Sequence, residues 1–297
     1  MARFKRLTLS DVPIFFANSF PKSGTHLLTQ VLIGFTKIGP AVDCGLPAIV
    51  TFEGDSGRSR TESEILVDLE RLLPGDIAYG HVHAFPEVVS FVCQDGFAPY
   101  FILRDPRDVV VSHVHYVSEL EPRHIHHQHY TQNLQSFDER LSASILGIPN
   151  KLASPTSELQ TAQRRLDPSA VGLQEDTSKS TEIPALPNIY QRFEPYMDWL
   201  DQTQVLLLHF EDFITSREKT IAAVYDHAVQ QGLCSNYDRE TAIQILNNSI
   251  DPQKSPTFRS GKVGGWRTAF TEEHKVLFKD IAGDLLIRLG YEKNNEW

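Results

Sequence analysis

This sequence is poor in cysteine, in basic charge and in long apolar runs. Three cysteines occur, Cys44, Cys93 and Cys234. None forms a CxxC pair or stands at a metal-ligand spacing. That argues against a disulfide framework and suits buried thiols in a reducing compartment. Lys and Arg total 28 against 38 Asp and Glu, a formal net charge of −10. A nucleic-acid binder needs a basic surface for phosphate, so that class is set aside. A local basic pocket for one small anion is still allowed. No apolar run approaches the roughly 18 residues of a membrane span. The stretch MARFKRLTLSDVPIFFANSF is interrupted by Asp11 and Pro13, and it lacks a signal-peptide core with a small-residue cleavage site. The expectation is a cytoplasmic protein with no membrane association. The rest is ordinary for a globular chain of 297 residues, with 41% hydrophobic and 22% charged residues. That is enough to bury a substantial core.

Apolar runs that read as strands alternate with helical patterns. The expected strands are 14–17, 76–80, 99–103 and 204–209. A helix is expected after residue 25, through Leu27, Leu28, Val31, Leu32 and Phe35. Others are expected at 61–73, 86–93, from Pro106 onward, and at 189–200, 215–231, 239–247 and 271–289. The second opens on Thr61-Glu62-Ser63-Glu64, a Thr-x-x-Glu capping box, and stops at Pro74-Gly75. Residues 39–57 read as a glycine-containing loop. Strands alternating with helices imply a parallel sheet flanked by helices, α/β in class, in a single domain spanning 1–297. Ligands in such folds gather at the carboxyl ends of the strands. Residues 119–188 break the pattern. They begin with His124, His126, His127 and His129, and 151–188 are rich in Ser, Thr, Pro and charge. A stretch of this length reads either as a mobile lid or as a disordered insertion.

Three stretches carry chemistry. In Asn18-Ser19-Phe20-Pro21-Lys22-Ser23-Gly24-Thr25 a strand gives way to a helix through a loop with a lysine, hydroxyls and a glycine. A helix N-terminus has unpaired N–H groups and partial positive charge, so it holds phosphate, and glycine lets the backbone approach. The loop is not a Walker A, because the lysine precedes the glycine and no glycine opens it. In YFILRDPRDVVVSHVHYV, Arg104 stands at a strand end and Ser112 two turns into the next helix. An arginine forks onto phosphate and a serine adds a contact. In FRSGKVGGWRTAFT, Arg259 and Lys262 supply charge and the glycines free backbone amides for an anion. Taken singly, each also reads as a surface turn, an ion-pair turn or a glycine-rich loop.

Together, in this order, the three stretches resemble sulfotransferases that use 3′-phosphoadenosine 5′-phosphosulfate (PAPS). Pro21-Lys22-Ser23-Gly24-Thr25 resembles that family's 5′-phosphosulfate loop, and Arg104 to Ser112 its 3′-phosphate motif. Arg259, Gly261, Gly264 and Trp266 reproduce its C-terminal RxGxxGxW pattern. The resemblance implies a P-loop NTPase-like sulfotransferase fold. It implies transfer of a sulfuryl group from PAPS to a hydroxyl, or an amine, of a small-molecule acceptor. The displacement would be in-line, with no covalent enzyme intermediate and no metal, and would leave adenosine 3′,5′-bisphosphate (PAP). It further implies that Lys22, Ser23, Gly24, Thr25, His26 and Leu27 line the 5′ end of the nucleotide. Arg104 and Ser112, with Arg259, Ser260 and Gly261, would hold the 3′-phosphate.

Ser260 stands where the family usually has lysine, so one cationic contact is lost. Leu27 stands where members often stack a tryptophan on adenine. Phe210, in Phe210-Glu211-Asp212, resembles the family's Tyr-Glu-Asp stretch and is expected near the nucleotide. The catalytic base is expected at His81, in Tyr79-Gly80-His81-Val82, with His83 and His26 as the other candidates. Histidine suits the step because its ordinary pKa is near neutrality. Lys22 would also be catalytic, steadying charge on the leaving 5′-phosphate. The histidines at 124–129 lack a nearby cysteine or a completing carboxylate, so they are assigned to the acceptor pocket, beneath a lid at 119–188, or to solvent, and not to a metal. The animal cytosolic dimer motif would fall at 267–276. Only Thr271 matches, with Arg267 in place of lysine, so a homodimer is allowed but that motif is not supplied. Two other readings are carried, a P-loop-type kinase of a small metabolite and a non-catalytic nucleotide-binding module.

Overall fold

Burial on both faces is what a near-continuous apolar strand demands, and β1 (Ile14–Ser19) meets that demand with all six residues buried. A computed structural model describes residues 12–149, 184–254 and 261–297. β1 lies centrally in a six-stranded sheet with β2 (Val42–Asp43), β3 (Ile49–Val50), β4 (Asp76–His81), β5 (Phe97–Leu103) and β6 (Leu206–His209). The order is β2-β4-β1-β5-β6, with β3 also on β4, and every pairing is parallel. The register sets Asn18 across from Gly80 and Phe101. The carboxyl ends of β4, β1 and β5 therefore lie side by side.

Eleven α-helices occur among the described residues. They are α1 (Thr25–Ile33), α2 (Glu62–Leu69), α3 (Pro86–Val92), α4 (Pro106–His115), α5 (Phe137–Leu146), α6 (Ile189–Phe193), α7 (Phe210–Thr215), α8 (Arg217–Gln230), α9 (Arg239–Asn247), α10 (Trp266–Ala269) and α11 (Glu272–Arg288). Alternate strand residues feed opposite faces, as the two-residue period requires. Phe15, Ala17, Tyr100 and Ile102 pack with Leu28, Leu32, Val224 and Leu246 from α1, α8 and α9. Phe16, Phe101 and Leu103 pack with Ile65, Val88, Val110, Leu141 and Phe278 from α2, α3, α4, α5 and α11.

Most expected elements appear within a few residues, including the reciprocal Thr61–Glu64 cap of α2. Three readings are corrected. Residues 39–57 hold β2 and β3, whose two residues each carry too little periodicity to read. The segment from 119 is not uniformly irregular. It contains α5, closed by a Ser136–Glu139 capping box, with Leu141 and Ile145 fully buried. The helix expected at 189–200 is α6 followed by a 3-10 stretch, Glu194–Asp201. Pro195 causes the change, because it brings no N–H and its ring crowds the preceding turn. The helix expected at 215–231 appears as α8, and a short helix that was not expected, α7, stands before it, the two separated at Ser216. Most of the polar stretch assigned to a lid lies outside the described residues.

Candidate active site

The loop between β1 and α1 is shaped by two left-handed residues. Lys22 has φ 71, uncommon for a residue with a Cβ, and Gly24 has φ 101. A Cβ on Gly24 would stand 2.7 Å from Cδ2 of Phe210, so only glycine lets the loop pass beneath that ring. Gly24 caps α1 without a side-chain hydrogen bond, and no acidic residue lies in the first turn. The N–H groups of that turn thus keep their affinity for an anion. Ser23 is fully buried, yet its Oγ has no hydrogen-bond partner among the described residues. The Lys22 Nζ stands 3.7 Å above the Tyr116 ring. Burial, with the Arg104 charge second, lowers its pKa to about 7. No carboxylate pairs with Lys22 among the described residues. A desolvated cation beside bare amides and an unused hydroxyl is a ready site for a phosphate.

His81 ends β4, next to Ser19 at the end of β1. Its Nδ1 lies 3.1 Å from the Ser19 carbonyl and 3.0 Å from Ser19 Oγ. A carbonyl only accepts, so the network assigns the proton to Nδ1 and leaves the Nε2 lone pair for an incoming proton. Burial, opposed by the bond to Ser19, holds the His81 pKa at about 4. The ring is therefore neutral at pH 7. Ser19 Oγ also lies 2.6 Å from Thr25 Oγ1, which ties the base to the phosphate loop. Behind His81, Asn18 makes two bonds to the main chain of Val82, at 2.8 and 2.9 Å, and the Trp199 indole donates to the Val82 carbonyl at 2.9 Å.

His83 is placed elsewhere. Its N–H donates to Thr51 Oγ1, and its ring meets Tyr196 edge-on at 4.8 Å. Burial alone lowers its pKa to about 4, whereas the Lys22 charge acts on His81 and on His26. His26, second in α1, sits 6.1 Å from the Tyr79 ring, its pKa lowered by burial and by Lys22. Of the three histidines, only His81 has a side-chain bond, among the described residues, to the strand that leads into the phosphate loop.

Arg104 follows β5. Its guanidinium donates to the Lys262 carbonyl at 3.0 Å, stands 3.7 Å from Asp108 and lies 4.5 Å over the Phe210 ring. Asp108 is buried and accepts 2.8 Å bonds from the N–H groups of Gly264 and Trp266. It thereby pins the C-terminal glycine loop beside Arg104. A cavity of about 460 Å³ opens there, bordered by Arg104, Asp108, His115, Asp138, Lys262 and Gly265. Phe210 thus reaches both Gly24 and Arg104. Leu27 is partly buried against the α1 side of the core. Ser112 is partly buried in α4. Gly261 has φ 59, while Arg259 and Ser260 lie outside the described residues.

Ser19, Asp108 and Tyr116 do not stand out from sequence. The acidic residue one turn into the RDPRD helix was the available signal for Asp108, but its partners are 156 and 158 positions away. The histidines after α4 are partly tethered to the main chain. His127 Nδ1 donates to the Val117 carbonyl at 2.7 Å and His126 Nε2 to the Pro184 carbonyl at 3.1 Å. Among the described residues no three His, Cys, Asp or Glu side chains converge as metal ligands.

Known proteins place this geometry in context. A crystal structure of retinol dehydratase in complex with androsterone and inactive cofactor PAP aligns with TM-score 0.55 at 16% identity, covering 94% of this chain and 83% of that one. The same protein in a complex with retinol and PAP gives TM-score 0.54 at 15% identity, with coverage of 94% and 83%. Mouse sulfotransferase SULT7A1 complexed with PAP gives TM-score 0.54 at 16% identity, covering 94% and 87%. At such identities these likenesses speak to the fold. No curated protein matches the sequence. The family model described as Sulfotransferase domain matches residues 101–290, which takes in Arg104, Ser112 and the glycine loop of α10. That match spans well over half of the sequence, and the chain belongs to the sulfotransferase family.

Proposed function

We propose that this protein moves a sulfuryl group from PAPS to a hydroxyl, or an amine, of a small-molecule acceptor. The observation that carries the reading is the joining of a neutral base, His81, through Ser19 to a cationic phosphate loop built on Lys22. The donor set fits the nucleotide. Lys22, the amides that open α1 and the Ser23 hydroxyl suit the 5′ end. Arg104, beside the loop of Gly261 and Lys262, suits a second phosphate, to which the family resemblance also assigns Ser112, Arg259 and Ser260 and which a simple nucleoside triphosphate does not place there. Leu27 and Phe210 supply apolar surface for the base. PAPS, when bound, supplies an activated sulfuryl group whose bond to the 5′-phosphate breaks as the bond to the acceptor oxygen or nitrogen forms.

His81 Nε2 accepts the acceptor proton. Lys22 and the α1 amides stabilise the charge that develops on the 5′-phosphate. As in phosphoryl transfer, positioning and electrostatics do most of the catalysis. The three cysteines are free thiols, which suits a cytoplasmic site for the reaction.

Incubation with labelled PAPS and a panel of phenols, alcohols and amines, read by mass spectrometry, tests the proposal. Sulfated product and an equal amount of PAP are expected. Phosphate transfer from ATP, or PAP binding without turnover of any acceptor, would point instead to a kinase or to a binding module. Full activity in a triple Lys22→Ala, His81→Ala, His83→Ala variant would refute the mechanism.

A further inference from the structure

Buried polar atoms without partners recur at a second place beyond the phosphate loop. Along the segment after α4, His126 Nδ1 and His129 Nδ1 are buried and without a hydrogen bond, and so is Arg192 Nε. The Tyr130 hydroxyl lies beside Ser144 with no full hydrogen bond. Buried polar atoms are normally satisfied, so a cluster of such atoms calls for a cause. The phosphate loop shows the same signature in Ser23 Oγ, where an anion is the natural partner.

The cluster is continuous with the reaction centre. Lys22 lies on Tyr116, Tyr116 meets His124 at 6.0 Å, His124 meets His113 at 6.1 Å, and His113 meets Tyr130 at 5.8 Å. His113 is pushed well down chiefly by burial, and the Arg192 and Lys22 charges both act on it, so it stands within reach of each. Burial also lowers His124, to about 4, and His126, so these rings are neutral at pH 7. Arg192 is the cation of the cluster. One Nη donates to the Ser144 carbonyl near the end of α5, and no carboxylate pairs with it among the described residues. Burial lowers its pKa to about 10. A charge held this way costs stability unless an anion meets it.

We propose that Arg192 receives a carboxylate of the acceptor, so that the acceptor class is hydroxy acids whose carboxylate lies apart from the hydroxyl to be sulfated. This inference rests on the sulfuryl-transfer reading above. The Nε edge of a guanidinium is the face that engages a carboxylate in a two-bond fork. The Tyr130 hydroxyl adds a donor, and the neutral histidines add no competing charge. The wall from Tyr116 to Tyr130 then spaces the carboxylate from the hydroxyl that faces His81.

The test uses the full chain with PAP bound, titrated with matched acids and amides. The pairs are para-hydroxyphenylacetate with para-hydroxyphenylacetamide, and omega-hydroxydecanoate with its amide. PAP binding is measured first. Its absence overturns the proposed function and this inference with it. With PAP bound, one acid at least should bind tighter than its amide by about tenfold to a hundredfold, the size of one charge-assisted hydrogen bond. The preference should vanish in Arg192→Gln. If that chain does not fold, Arg192→Lys serves, because it keeps the charge but loses the planar fork. The preference should then shrink by about threefold or more. Equal affinity for acid and amide in both pairs, or a preference that survives unchanged in the variants, overturns the inference while leaving sulfuryl transfer standing.

Discussion

Titrating PAP into this protein at pH 8 should draw about 0.9 of a proton from the buffer, and Lys22 is the reason. In the free protein burial and Arg104 lower its pKa from 10.5 to about 7. At pH 8 only about one-tenth of the chains then carry a charged Lys22. A phosphate dianion beside the ammonium favours the charged form and restores a pKa near its ordinary range. The difference between those two occupancies is the predicted uptake. PAP itself adds little, since its second phosphate protons leave near about pH 6. Binding should accordingly weaken by about tenfold for each pH unit above 7 until the bound-state pKa is reached. Calorimetry in buffers of different ionisation enthalpy reads the proton count directly. Lys22→Met should abolish both the uptake and the slope. Uptake below about 0.2, or uptake unchanged in Lys22→Met, would refute the desolvated lysine. The sign also fixes the stability of the free protein. Between pH 7 and 10.5 the unfolded chain holds a proton that the folded chain has released, so folding stability should rise with pH across that window.

His81→Ala should lower kcat by about a hundredfold to ten-thousandfold with PAP affinity retained, while His83→Ala should stay within a few-fold, as steady-state kinetics will show. Asp108→Asn replaces an acceptor of two amide bonds by a group with one acceptor oxygen. A Gly264 or Trp266 N–H then loses its full bond, at a cost of about 1–3 kcal/mol in denaturant unfolding, and PAP binding should weaken as the glycine loop loosens.

Strands β1, β4 and β5 are legible in sequence because each is an apolar run closed by a polar turn. β2 and β3 are not, since a two-residue strand exists only through its neighbour β4. α5 was hidden by the polar residues around it, although its Ser136–Glu139 cap follows the same pattern as the cap of α2. The phosphate loop could be read because its parts are contiguous. Choosing between His81 and His83 could not be done locally. The partner that separates them, Ser19, lies 62 positions before His81 and reaches it only through the β1–β4 register. Arg192 was invisible for the same reason, since its meaning depends on Ser144 and Tyr130 packed against it.

The two halves of the site are built from different materials. Ser19, His81 and Arg104 stand at the ends of three adjacent strands, where a shared hydrogen-bonded ladder fixes their spacing. The opposite wall rests on π-type helical turns, Tyr116–Leu120 and His129–Asn133, and on a short α6. A substitution in the ladder shifts the reacting groups together, whereas one in the wall repacks a single turn and leaves the ladder intact. On the proposed reading, changes along 116–133 and 189–193 would alter the choice of acceptor without re-aligning the groups that carry out the transfer.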